Sequence, residues 1–166
     1  MKTLVTFVVG LVAGPVILGS AAVLGLLPSK AVSTPSSLEV SLASGALDAS
    51  LERRARGLKN PISANDRSAL AAGAKLYENC SGWHGDTTGP SSWGTNDFYP
   101  RVPQFYQEGA EVTPEEAYVA VHDGIRYSGM AAWGDQVPDA NIWKVANFVS
   151  QIRRLPPEQL KAGRPD

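Results

Sequence analysis

The sequence is poor in the residues from which most active sites and metal centres are built. It holds one cysteine, two histidines and two methionines: Cys80, His84, His122, the initiator Met1, and Met130. A single thiol excludes an internal disulfide and leaves the redox compartment open, because a lone cysteine is compatible with either side of a membrane. A zinc centre is disfavoured, since Cys80, His84 and His122 lack the paired thiolates that structural sites use. No family-specific signature accompanies Cys80, so nucleophilic Cys/His catalysis finds no support. An excess of one charge is missing too. Lys and Arg number 15 against 16 Asp and Glu, for a net charge of -1, with no basic block. That excludes the electrostatic footprint of a nucleic-acid binder and a polybasic membrane patch. No segment repeats, and no convincing strand pattern occurs. Hydrophobic residues at 43% and charged residues at 19% are ordinary for a globular chain, which excludes disorder for most of it.

What is present begins at the N-terminus, MKTLVTFVVGLVAGPVILGSAAVLGLLPSK. Thr3 to Ser29 carries no ionisable side chain, and about 20 apolar helical residues suffice to cross the hydrocarbon layer. A signal-peptide core is shorter, about 7–15 residues before a small-residue cleavage site. Ser20 and Ala22 imitate such a site, but Val23 to Leu27 continue the apolar run past it. Residues 1–29 are therefore expected to form an uncleaved membrane anchor or signal-anchor. Lys2 favours a cytoplasmic N-terminus with the rest exported, and Pro15 is tolerated in a spanning helix.

Residues 30–61 read as a stalk. Within it Leu38 with Leu42, and Leu47 with Leu51, stand at i,i+4 spacing, enough for a modest amphipathic helix; a flexible tether is the alternative. Residues 62–157 form the expected domain, followed by a tail at 158–166. Ser63 with Asp66 resembles a capping box opening a helix through Leu76 and Tyr77 that ends just before the sequence CSGWHG. Thr113-Pro114-Glu115-Glu116 is a stronger start, for a helix that stops at Gly124. Asp139 is placed to cap a third helix, in which Ile142, Val145, Ala146, Val149 and Ile152 make an apolar stripe closed by Pro156-Pro157. The fold class expected is all-α, with long loops, preceded by one transmembrane helix and the stalk.

The stretch LYENCSGWHG, Leu76 to Gly85, is one residue away from the haem-attachment pattern C-x-x-C-H. There two cysteine sulfurs bond the haem vinyl groups and the histidine ligates iron. Here Trp83 occupies the second cysteine position. With it come Gly73-Ala-Lys-Leu-Tyr77 before Cys80, Gly124-Ile-Arg-Tyr-Ser-Gly129-Met130-Ala-Ala-Trp133 after it, and Asn141-Ile-Trp143-Lys-Val in the last helix. Together these segments resemble a class I cytochrome c domain of the membrane-anchored bacterial monohaem type, with a degenerate attachment motif.

The resemblance implies one haem c held by a single thioether from Cys80. It implies His84 as proximal and Met130 as distal iron ligand, with Arg126 and Trp133 near the haem edge or its propionates. It also implies that the first and last helices cross, bringing Gly73 and Tyr77 against Trp143 and its neighbours. A thioether opposite an imidazole raises the reduction potential and leaves no open coordination position. That combination suits an electron carrier rather than an enzyme, or a subunit of a larger oxidoreductase. Redox proteins in or near the membrane are the implied partners, with lipid around the anchor. The implied location is a bacterial inner membrane, with the haem domain on the periplasmic side. Each residue keeps a plainer alternative: Met130 as core filler, His122 as a helix C-terminal cap or a rival ligand, Trp133, Trp143, Tyr77 and Phe148 as core aromatics, and Arg126 as a solvated charge. Two departures from the family pattern, Trp83 and Ala131 in place of a proline common after the distal methionine, keep a second class open: a haemless cytochrome-like subunit with a structural or docking role in a membrane redox complex.

Overall fold

The computed structural model describes residues 2–156, with side chains from residue 10 onward. The tail expected at 158–166 lies outside the described residues. The chain divides into two compact units, residues 1–33 and 34–166.

In the first unit, helix α1 runs Lys2–Val23 over 22 residues, with Pro15 inside it. Gly25 adopts φ 70°, and the Leu26 N–H returns to the Ala21 carbonyl at 2.8 Å, the glycine-ended closure that satisfies the last carbonyls of a helix. Leu11, Val12, Val16, Ile17 and Leu18 are all exposed, so the helix presents apolar side chains on every side. Among the described residues no helix is long and apolar enough to cross a membrane. The side chains that begin the apolar run, Thr3 to Val9, fall outside those described.

The second unit is helical throughout its regular structure. α2 spans Ser37–Ala55, α3 Arg67–His84, α4 Ser92–Asn96, α5 Phe105–Glu108, α6 Pro114–Asp123 and α7 Asp139–Gln151, extended by a 3₁₀ turn at Ile152–Arg154. Among the described residues there is no strand, only a single bridge between Asp86 and Gly89.

Local chemistry accounts for most boundaries. The Asp66 carboxylate accepts from the Ala69 N–H at 3.0 Å and caps α3, while Ser63 shapes the turn before it. Thr113 and Glu116 complete a reciprocal capping box on α6, Pro114 fills its first position, and Gly124, at φ 68°, ends it. α7 begins one residue earlier than a capping Asp139 would have it: Pro138 precedes the helix and Asp139 sits in its first turn, where its charge favours the helix N-terminus. The helix at the stalk position is capped by Ser36, whose hydroxyl accepts from Glu39 N–H at 3.2 Å. Of its two leucine pairs, Leu47 and Leu51 pack with Ala55 against Val119 and Tyr118 of α6, while Leu38 and Leu42 stay exposed.

The core sits where α3 crosses α7. Ala74 and Tyr77 of α3 meet Val145, Phe148 and Val149 of α7, with Ile152 behind them. The five-residue apolar stripe of α7 is buried in full. The crossing is close enough that a Cβ on Gly73 would collide with the Lys144 carbonyl oxygen and stand 2.8 Å from Phe148 Cβ. Tyr77 packs on Phe148, ring centres 5.6 Å apart. Trp143 is the exception to the implied arrangement. It turns to α6 and stacks on Tyr118 at 4.1 Å, because it sits on the α6 side of α7, away from the Gly73 face.

Two substitutions separate propensity from packing. Gly→Ala inside a helix gains about 1 kcal/mol from propensity, and overpacking a close crossing costs about 1–3 kcal/mol or more. At Gly73 the neighbours are a backbone carbonyl and a side-chain root, which cannot swing away, so Gly73→Ala should lower the urea midpoint. Gly82 has nothing within 4 Å of its Cβ position, and Gly82→Ala should leave the midpoint unchanged or raise it.

Candidate functional site

Sequence alone ends α3 before the CSGWHG segment; in the structure the helix continues through it to His84. The reason is tertiary. A helix leaves up to four C-terminal carbonyls without partners, and in α3 other side chains take them. The Ser91 hydroxyl donates to the Gly82 carbonyl at 2.6 Å, Gln104 Nε2 donates to the Trp83 carbonyl at 3.0 Å, and the Tyr77 hydroxyl lies 3.2 Å from the carbonyls of both His84 and Gly85. Gly85, at φ 71°, then turns the chain away, and its own N–H closes on the Ser81 carbonyl. Ser81 and Gly82 are weak helix formers; the surrounding bonds keep the last turn formed.

Continuation of the helix puts Cys80 and His84 four residues apart on one face. Cys80 is half-buried against the Tyr77 and Phe148 core, and burial pushes its thiol up to about 11. His84 is half-buried, its ring stacked on Phe105 at 4.7 Å with planes 11° apart. Its Nδ1 is 2.9 Å from the Pro103 carbonyl. A carbonyl only accepts, so Nδ1 carries the proton and Nε2 is left with a free lone pair. Burial holds the ring below the ordinary histidine range, outweighing the opposing effect of the Pro103 bond. The neutral imidazole with one nitrogen anchored and the other free is the form that ligates a metal.

Met130 lies on a turn that doubles back along the end of α6. Ile125 N–H donates to the Met130 carbonyl at 3.1 Å, Met130 N–H to the Ser128 hydroxyl at 3.1 Å, and Trp133 N–H to the Val121 carbonyl at 3.1 Å. Gly124 is required there, since a Cβ would stand 2.8 Å from the Met130 carbonyl oxygen in a backbone conformation glycine favours. Tyr127, at the tip, has φ 63° and is 92% exposed. Met130 itself is half-buried. Gly129, its predecessor, lies against the rings of Phe98 and Trp83. The structure thus brings the Met130 turn to the residue just before His84.

Arg126 is exposed on the same turn and has no ion-pair partner among the described residues. Trp133 is half-buried, its carbonyl accepting from Gln136 and Val137. No hydrogen bond, ion pair or ring contact joins Arg126 or Trp133 to Cys80 or His84 among the described residues. His122 is engaged elsewhere: Nδ1 is 2.7 Å from an Asp123 carboxylate oxygen, Nε2 is 3.8 Å from one of Asp139, and the ring stacks on Tyr118. Among the described residues no group of three or more His, Cys, Asp and Glu is placed to hold a metal ion.

Gln104 is the functional neighbour that the sequence does not reveal. It is 4% exposed and fully bonded, donating to Trp83 and Val102 carbonyls and accepting from Ser91 N–H at 2.7 Å. Pro103 and Phe105 on either side of it hold His84. Nothing in V-P-Q-F marks these roles; only a buried polar residue between two apolar ones distinguishes it in retrospect.

Residues 68–149 match the family model described as cytochrome c oxidase, cbb3-type, subunit III. No curated protein and no solved structure matches the chain. These residues form an all-α, cytochrome c-like domain, which implies haem c binding. The donor set fits that group at His84, whose anchored Nδ1 leaves Nε2 free to ligate iron, and at Cys80, which offers one sulfur on the same helical face.

Removing the Gln104 amide takes a partner from the part-buried Trp83 and Val102 carbonyls and Ser91 N–H, at about 1–3 kcal/mol. Gln104→Ala should lower the free energy of unfolding by that amount, and residue-resolved amide exchange should register fraying at the end of α3, with the α7 amides unchanged.

Proposed function

We propose that the chain is a membrane-anchored, monohaem c-type electron carrier, in which Cys80 forms the one thioether and His84 and Met130 are the iron ligands. The observation that carries it is the imidazole of His84, fixed by Pro103 and Phe105 with one nitrogen free, one turn beyond the only cysteine and inside a cytochrome c-like domain. Haem c held there by Cys80, His84 and Met130 would supply reversible one-electron chemistry.

The protein's own residues do the rest. Pro103 holds His84 in one tautomer, and stacking on Phe105 fixes the ring plane. The half-buried Met130, on a turn with both its backbone polar groups bonded, supplies a soft donor that favours reduced iron. Trp83 supplies no covalent bond. Arg126, exposed and without an ion-pair partner among the described residues, is a candidate partner for a propionate, and Trp133 for the haem edge. Residues 1–29 anchor the chain in a bacterial inner membrane with the domain on the periplasmic side; the uncharged run Thr3 to Ser29 and the early Lys2 support this. The partners are redox proteins of a respiratory membrane complex, and the reaction that consumes the electron belongs to them.

The ligand assignment is tested by paired variants. Met130→Ala should abolish the sulfur-to-iron charge-transfer band of the oxidised protein and lower its potential, while His122→Ala should leave the band intact. An unchanged spectrum in Met130→Ala would assign the methionine to packing. The anchor is tested separately: the mature chain should sediment with membranes after a high-salt wash, and recovery of a soluble form beginning near Val23 would overturn it.

A further inference from the structure

Trp83 stands where a second attachment cysteine would, and its half-buried side chain packs on two other rings. Its ring centre lies 4.3 Å from that of Trp93 in α4 and 4.7 Å from that of Phe98, and Trp93 meets Phe98 edge-on at 4.9 Å. Each ring touches the other two. Tilted and edge-on contacts at such separations are the ones the ring quadrupoles favour. The backbone beneath is drawn in to allow them. α4 approaches α3 so closely that a Cβ on Gly94 would collide with the Trp83 carbonyl oxygen, and Val102 N–H bonds the Gly94 carbonyl at 3.2 Å. Phe98 is held from behind by Arg101, whose Nη1 donates to the carbonyls of Asn96 and Phe98 at 2.5 and 2.8 Å.

One side of this cluster meets the turn that carries Met130. A Cβ on Gly129 would stand 3.0 Å from Phe98 Cε1 and 3.4 Å from Trp83 Cζ3, so only glycine packs there without displacement. The limb after Met130 is bonded to α6 through Trp133 and Gly134. The tip is different. Its bonds, among Ile125, Ser128 and Met130, are internal to the turn and set its shape. They do not set its place against α3.

We propose that Trp83 is a positioning residue: seated between Trp93 and Phe98, it holds the tip of the Met130 turn against the attachment helix. The residue that takes the place of one haem cross-link thereby fixes the distal side of the site. The packing is read from this chain's own residues; its consequence for the iron rests on the proposed ligand role of Met130.

Amide hydrogen exchange on the full chain in detergent, resolved by residue, tests this. Trp83→Leu should speed exchange at Ile125 and Met130 by roughly tenfold, because a tip that leaves its seat on the rings frees the turn's own bonds to open, with the Ala146 to Val149 amides of α7 unchanged. Trp83→Phe, which keeps a ring, should restore near-native exchange. Native exchange at Ile125 and Met130 in Trp83→Leu overturns the proposal. If that variant loosens α7 equally, Gly129→Ala decides, because it keeps all three rings and crowds only their contact with the tip. It should speed exchange at Ile125 and Met130 alone, and native exchange there sinks the proposal. A colourless preparation would remove the ligand role of Met130 without touching this measurement. In a coloured one, Trp83→Leu should also weaken the sulfur-to-iron band.

Discussion

The site depends on the last turn of α3 being held shut. Helix ends are costly to bury because their carbonyls lose water before they gain a partner. In α3 that cost is met by Tyr77, Ser91 and Gln104, which reach the Gly82, Trp83, His84 and Gly85 carbonyls from three separate parts of the chain. Everything that gives the domain its chemistry follows from that closure. Without it, Cys80 and His84 would not share a helical face, and Trp83 would not project at Trp93 and Phe98. The loop that supplies Gln104 also supplies Pro103 and Phe105, so the segment that closes the helix also sets the tautomer and plane of the histidine.

The bond network extends beyond the attachment helix. α2, read as a stalk, packs its second half on α6, and Arg54 pairs with Asp123 at 2.9 Å. Asn60 in the following loop binds Glu115 of α6 through its N–H and the fully buried Asn147 of α7 through its amide. At the opposite end of α2, Glu39 accepts from the Tyr99 hydroxyl at 2.6 Å, next to Phe98 of the aromatic cluster. The Arg54–Asp123 ion pair and the single hydrogen bonds beside it each contribute little. Their value here is in placement: one helix touches α6 and the loop beside the attachment motif.

Features encoded within a few residues were legible from sequence. The Thr113 box, the Gly124 stop and the apolar stripe of α7 each rest on neighbours along one helix, and each stands where expected. The close approach at Gly73 followed from family resemblance, and its partners proved to be Lys144 and Phe148, with Trp143 committed to Tyr118. What escaped was the tertiary part. α3 outran its local signals because distant side chains capped it, and α4 and α5 are short turns in a segment rich in Gly and Pro. Gln104 carries no sequence pattern. Sequence marks Trp83 only as a missing sulfur, since the two rings it packs on lie 10 and 15 positions further along.

The central claim is that this chain carries one haem on one sulfur. The reduced pyridine haemochrome of the chain isolated from a host with cytochrome c maturation measures that directly, because its band position reports how many vinyl groups remain unreacted. A covalent adduct with the red-shifted band of a single thioether, absent in Cys80→Ala, is the predicted result. A folded, colourless chain that takes haem only as Trp83→Cys would contradict it and establish a haemless cytochrome-like subunit.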